Sequence, residues 1–214
     1  MTAFWTHDCY FELVLYFDVF TKQILSWCIT RKRGWPGVYY FGLEEAIEKV
    51  EKSKEEMVCM LEQGCGEICV VHTDQGSVYT SKGYNEIIHE SGLVHSLSRP
   101  GKPTDNPVNE SLNGWIKEEL LYDFGVYKAD KYDVEDLVNK YVCWYNACRP
   151  SYALGYMTPD DFYTQFINGE VTHKKTFAYR VLDERPKFVL EKLRAAEADA
   201  QIHTIGTSSK TALI

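Results

Sequence analysis

ICVVHTDQGSVYTSKGYNEIIHESGLVHSLSRPGKPTDNPVNESLNGWIKEELLY, Ile68 to Tyr122, is the stretch on which the fold turns. Ile68 to Thr73 is apolar and rich in β-branched residues, which predicts a buried strand. Asp74-Gln75-Gly76-Ser77 has turn chemistry at the end of that strand. Glu110 falls in the next strongly helical segment. Asn106 is a natural N-cap there and Pro107 suits the first helical position. Val108, Leu112 and Trp115 recur at helical spacing and are expected to face a core. Glu110 lies off that face and shares a side with Lys117, with Gly114 between them.

Asp74 and Glu110, separated by 35 residues, thus sit on two different rigid elements. Two carboxylates so placed can hold Mg²⁺, which takes oxygen ligands and keeps several of its waters. Two such ions, roughly 4 Å apart, activate a nucleophile and stabilise the leaving oxygen of a phosphodiester. Gly114 would let another backbone come close, and Lys117 offers a cation for phosphate. Taken alone, the pair reads equally as a turn acid and a solvated helical glutamate.

The longer strings narrow this. VHTDQGSVYTSKGY around Asp74, SLSRPGKPTDNPVNESLNGWIKEELLY around Glu110, and YNACRPSYALGYMTPDDF from Tyr145 to Phe162 resemble the catalytic core of bacterial insertion-sequence transposases of the DDE type, relatives of the retroviral integrases. The resemblance covers roughly Leu13 to Phe162. It implies a ribonuclease H-like α/β fold, a mixed sheet flanked by helices. It also implies that Asp74 and Glu110 are the second and third metal ligands of a site for two Mg²⁺ ions, with Mn²⁺ able to substitute. The reaction implied is metal-assisted phosphodiester attack on transposon ends and target DNA. The loop from Ser98 to Thr104 would then lie beside the active site, with Arg99 and Lys102 touching DNA and Lys117 positioning phosphate. A homo-oligomer in the active complex is implied as well. So is a helix-turn-helix end-binding region, placed upstream of the core or on a separate polypeptide.

The first ligand of such a site belongs on the first strand, in a TDxTY-like sequence. The upstream candidate here is Asp8, in WTHDCYF, ten residues before Asp18. LYFDVFTKQILSW resembles the family's second and third strands, where the residue matching Asp18 closes the second strand and is not catalytic. A strand, a turn and a second strand hardly fit between Asp8 and Asp18, because five strand residues already span about 17 Å. The expectation is therefore that the first strand is missing and that Asp8 only looks like the ligand. Ser151 stands where the family has His after its Arg-Pro pair, and Gly114 stands where it often has Lys. These departures support an alternative, a truncated core that folds or oligomerises without catalysis. A ribonuclease H-like nuclease with another substrate is a third reading, because fold does not fix function.

The rest of the 214-residue chain fits one ordinary domain, Met1 to about residue 165, followed by a helical and partly disordered extension over 166–214. An apolar fraction of 45% is enough for a core. No apolar run approaches the ~20 residues of a membrane span, and no secretory signal is visible. The seven cysteines lack zinc-site spacing and read as reduced thiols, which fits the bacterial cytosol, on the nucleoid when active. A net charge of −8 argues against a simple DNA binder: any phosphate contact needs local cations, which cluster at Arg31-Lys32-Arg33 and again at Lys174, Lys175, Arg180, Arg185, Lys187, Lys192 and Arg194, and both clusters read by default as solvated surface. Strands are expected at Glu12–Val19, Gln23–Thr30 and Leu93–Leu97. Helices are expected at Leu43–Gln63, Ser81–Ser91 and Asp133–Ala147, the last capped by Asp133. Arg31 to Val38 reads as a loop, broken by Gly34, Pro36 and Gly37.

Overall fold

The computed structural model describes residues 1–58, 69–99 and 107–171. Three antiparallel strands come first: β1 (Thr2–Trp5), β2 (Tyr10–Phe17) and β3 (Ile24–Thr30), in the order β1-β2-β3. Thr2 lies opposite Leu13 and Trp5 opposite Tyr10. A short strand does precede the turn, contrary to the expectation that the first strand is missing; it ends at Trp5, so Asp8 lies in the turn and β2 alone runs between Asp8 and Asp18, in line with the spacing argument. The turn is tight: Thr6 N–H donates to Cys9 O at 2.9 Å. The second turn is organised by Asp18, whose carboxylate accepts from Phe20 N at 2.9 Å and from the Thr21 hydroxyl at 2.6 Å. This is the turn chemistry of Asp and explains its place there without a metal.

Helix α1 (Pro36–Val58) begins seven residues before the expected Leu43. Pro36 starts the helix rather than breaking the loop, as suits its fixed φ and missing N–H. Val38, Tyr39, Leu43 and Ile47 of α1 pack with Val14 of β2 against one face of the sheet. The expected end of this helix lies outside the described residues. Strands β4 (Val70–Thr73) and β5 (Val94–Leu97) run parallel in register, Val70 opposite Val94. Such a pair requires a crossover, and α2 (Lys82–Glu90) supplies it. The Ser81 hydroxyl caps α2 by accepting from Tyr84 N, while Tyr84 and Ile88 turn inward onto α1. β4 is not the fully buried strand expected. Thr73 is buried and Val71 packs towards α1 and α2, but Val70 is 53% exposed. The strand alternates because α1 and α2 cover one face of the pair.

The other face of the three-stranded sheet is covered by α3 (Pro107–Glu118), which runs on through a π-helical turn (Glu119–Asp123), and by α4 (Val134–Ala147). The buried row of α3 is Leu112, Ile116 and Leu120, spaced at i, i+4, with Ile116 wholly enclosed. Trp115, expected inside, is 51% exposed. Its indole N–H reaches the Ser111 hydroxyl at 3.2 Å and the Arg149 guanidinium lies over its ring. Val134, Val138, Tyr141 and Tyr145 form the expected inner stripe of α4. Asp133 occupies the cap position there but makes no side-chain cap bond. Helix α5 (Pro159–Ile167), capped by Thr158, follows and packs on α4. Met1 to Val171 form one compact unit; the expected C-terminal helix lies outside the described residues.

Candidate metal and phosphodiester site

Asp74 follows the last residue of β4 and is exposed. Its Oδ1 accepts the Gly76 N–H at 2.8 Å, which closes the turn and aims the carboxylate. A Cβ on Gly76 would sit 2.9 Å from Asp74 Oδ1 and 3.2 Å from the Tyr79 ring, so any larger residue would displace the carboxylate. Two tyrosines border the same carboxylate. Burial pushes the Tyr79 hydroxyl pKa well above its ordinary value, and the neighbouring tyrosines and Asp74 add to the rise. Tyr39 is raised by burial first, then by the charges of Glu12 and Asp74. The Met1 amino group is held below its ordinary pKa by burial, opposed by the charge of Asp74.

Behind Asp74 the strand end is cross-linked in two rows. On one face His72 Nδ1 meets the Ser96 hydroxyl at 2.9 Å and His72 Nε2 meets the Ser98 hydroxyl at 3.0 Å. On the other, Asn85 donates to Tyr79 O and Ser81 O, which turns its Oδ1 towards His95 Nδ1 at 2.8 Å. His95 Nδ1–H therefore donates, and Nε2 lies 2.8 Å from the Thr73 hydroxyl. The single proton of that hydroxyl is shared between His95 Nε2 and Asp74 O, 3.0 Å away. Burial lowers the His95 pKa, and the charge of His72 adds to the lowering. His72 falls in the VHTDQGSVYTSKGY string, but neither it nor His95 or Asn85 carries a sequence signal of these pairings.

Glu110 lies in the first turn of α3 and Lys117 in its last, both exposed, as the helical spacing required. Arg99 is exposed just beyond β5. Lys102 lies outside the described residues, as does Asn106. Asp8 is placed elsewhere: it sits in the β1–β2 turn, where it accepts from the Thr6 hydroxyl at 2.9 Å and faces His7 at 3.7 Å. Met1, which feels Asp74, is at the start of β1, and Asp8 lies past its far end, at least ~13 Å away along an extended strand. Among the described residues no three His, Cys, Asp or Glu side chains converge on one point. What remains is two exposed carboxylates on separate elements. That donor set suits Mg²⁺, which binds through one or two carboxylates and completes its shell with water and substrate phosphate.

α3 is pinned at its far end. Glu119 accepts two bonds from Arg149 Nε at 2.8 and 3.0 Å, one from Arg149 Nη2 at 2.7 Å, and one from the Tyr141 hydroxyl at 3.0 Å. The Arg149 of the YNACRP string thus fixes the helix that carries Glu110 rather than reaching solvent.

Residues 1–103 match one family model and residues 91–159 another, both described as integrase core domain. The transposase of insertion sequence element IS904 from Lactococcus lactis is 30% identical over 76% of this chain and 58% of its own length. The putative transposase InsK of element IS150 from Escherichia coli is 34% identical over 69% of this chain and 47% of its own. The chain thus spans about half the length of the curated relatives it matches. Among solved structures, a simian T-cell lymphotropic virus intasome superimposes with a TM-score of 0.53 at 17% identity, over 76% of this chain and 51% of that one. The HTLV-2 integrase catalytic core, solved with magnesium, gives 0.50 at 17% identity over 76% of this chain and 90% of that one. These likenesses give the fold as that of the retroviral integrase cores, ribonuclease H-like. The two integrase-core matches run continuously from residue 1 to residue 159, and the chain belongs to the integrase core family of the bacterial insertion-sequence transposases.

Proposed function

We propose that this core cuts and joins transposon-end DNA, with Asp74 and Glu110 holding Mg²⁺ ions and Mn²⁺ able to replace them. The observation that carries the reading is the Asp74 turn. A carboxylate is locked at a strand end by a glycine N–H, in a chain of this family, with Glu110 exposed in the first turn of α3. The bound metal would supply activation of the attacking oxygen and charge stabilisation at the phosphorus. The chain's own residues do the positioning. Gly76 N–H sets the carboxylate, the His95–Thr73 and His72–Ser96–Ser98 rows hold the strand behind it, and the Arg149–Glu119 pair fixes α3. Lys117, Arg99 and Lys102 are the proposed phosphate contacts, since cations near a polyanion carry most of its affinity.

The proposed partners are DNA, further copies of this chain in the active complex, and a helix-turn-helix segment for end recognition. The proposed catalytic core runs to residue 165, with 166–214 as an extension. No helix among the described residues is long and apolar enough to cross a membrane, and the proposed compartment is the bacterial cytosol.

The test is metal-dependent nicking and strand transfer on DNA carrying the ends of the parent element. Asp74→Asn and Glu110→Gln should each lower the rate by about 100-fold or more, the loss expected when a metal ligand is removed. Equal activity in the substituted and parent chains would refute the assignment. A parent chain that binds DNA and metal yet cleaves nothing would favour a core that folds without catalysis.

A further inference from the structure

Arg31-Lys32-Arg33 is the sequence's only run of three consecutive cations, in a chain of net charge −8. All three are exposed, in the loop between β3 and α1. A solvated run of this kind would ordinarily be loose, but this one is fastened. Gly34, in the left-handed region at φ 63°, donates its N–H to Glu12 Oε2 at 2.9 Å. The Tyr10 hydroxyl donates to Glu12 Oε1 at 2.7 Å, and the Arg33 guanidinium lies 4.8 Å over the Tyr10 ring. Lys32 N–H reaches the Thr30 hydroxyl at 3.1 Å, and Trp35 N–H reaches Lys32 O at 3.3 Å.

Glu12 is the unusual member. It is a carboxylate in the middle of β2 and only 3% exposed. A buried charge is costly unless it is hydrogen-bonded, and here both of its oxygens are spent on the loop and its stacking tyrosine. A strand that needed only stability would carry an apolar residue at this position, where Val14 follows on the same face. The loop also has a defined neighbour. Helix α1 starts at Pro36, directly after it, and places Tyr39 with its ring 5.5 Å from Tyr79, the residue against which the Gly76 turn closes. Tyr39 feels the charges of both Glu12 and Asp74.

We infer that Arg31, Lys32 and Arg33 form a ledge that binds the phosphate backbone of DNA lying across Asp74, with buried Glu12 setting the shape of the loop. This rests on the DNA-processing reading above. Backbone phosphate is the ligand because the ledge offers adjacent positive charges and no apolar recess, the chemistry that positions a duplex without reading its sequence. The loop adds adjacent positive charges to a chain of net charge −8.

The experiment is fluorescence anisotropy of the full chain with a labelled duplex, in EDTA and across a salt series, so that binding is read without cleavage. The Arg31→Ala/Lys32→Ala chain should lose about 2 units of slope in log affinity against log salt, since each phosphate contact contributes about 0.9. Its melting temperature should match the parent. Glu12→Gln keeps every cation but cannot accept from both donors, and it should also flatten the slope. If that chain does not fold, Tyr10→Phe, which removes only the hydroxyl, takes its place. An unchanged slope in Arg31→Ala/Lys32→Ala, with the parent binding normally, overturns the ledge and leaves DNA processing standing. Parent-like binding by a folded Glu12→Gln or Tyr10→Phe chain overturns the role of Glu12. A parent that binds no duplex at any salt overturns the ledge and the DNA-processing reading together.

Discussion

Asp74 and Glu110 carry the same charge, yet the molecule holds them in different ways. Asp74 ends a short strand and is fixed locally, by the Gly76 N–H on its carboxylate and by the His95–Thr73 bond behind it. Glu110 rides on a helix and is fixed remotely, through the Leu112–Ile116–Leu120 row in the core and the Arg149–Glu119 pair beyond it. The difference follows from the elements. A strand end needs local bonds to settle a turn, whereas a helix transmits the constraint of its far end along a stiff rod. In the proposed metal site, Asp74 would set the position of an ion and Glu110 would follow the packing of α3.

The comparison can be broken first from the remote side. Arg149→Ala removes the partner of a largely buried carboxylate and should destabilise the fold by about 3 kcal/mol, read by urea denaturation. A loss under ~1 kcal/mol, the range of an exposed pair, would show that Glu119 is solvated and that α3 is not pinned there. On the local side, Gly76→Ala puts a methyl group 2.9 Å from Asp74 Oδ1. It should lower DNA cleavage about 100-fold, the cost of an ångström-scale misplacement at a reacting centre, while the fold persists. Parent-like cleavage would show that the Asp74 carboxylate is not held by this turn.

His95 sharpens the comparison through pH. Its pKa is lowered in the folded chain relative to 6.5, because burial disfavours the imidazolium. The unfolded chain therefore binds the proton more readily, and stability falls as pH drops below 6.5 towards the folded value, then levels off. Thermal melting between pH 8 and pH 5 should show this loss, and His95→Gln, which can donate and accept but does not titrate, should reduce it. Identical pH profiles for the two chains would remove His95 from the account. The smallest effect is expected at Gly114, on the Glu110 helix, where an added Cβ meets nothing within 4 Å. Gly114→Ala should stabilise by up to about 1 kcal/mol through helix propensity, with binding of DNA little changed.

The sequence made the elements legible wherever periodicity and capping agreed. β5, α2 and α4 fall within a residue or two of their expected ranges because Ser81, Gly92 and the Val134–Tyr145 stripe act locally. Three readings failed where tertiary contacts decide. Trp115 lies outside because Arg149, distant in sequence, covers its ring. Pro36 opens a helix because α1 finds a core against β2. β1 exists as four residues because pairing with β2 and a tight turn compensate for its shortness. The placement of Asp74 after β4 and of Glu110 in the first turn of α3 was legible from turn and helix chemistry. The Asn85–His95–Thr73 row was not, since it joins three elements through single bonds.

The central claim is that Asp74 and Glu110 make one divalent-cation site. The most direct test is calorimetric titration of Mn²⁺ into the DNA-bound chain, alongside Asp74→Asn and Glu110→Gln. The account predicts a binding isotherm in the parent that either substitution abolishes. Equal binding in all three chains would contradict it, by showing that the ion is held without these two carboxylates.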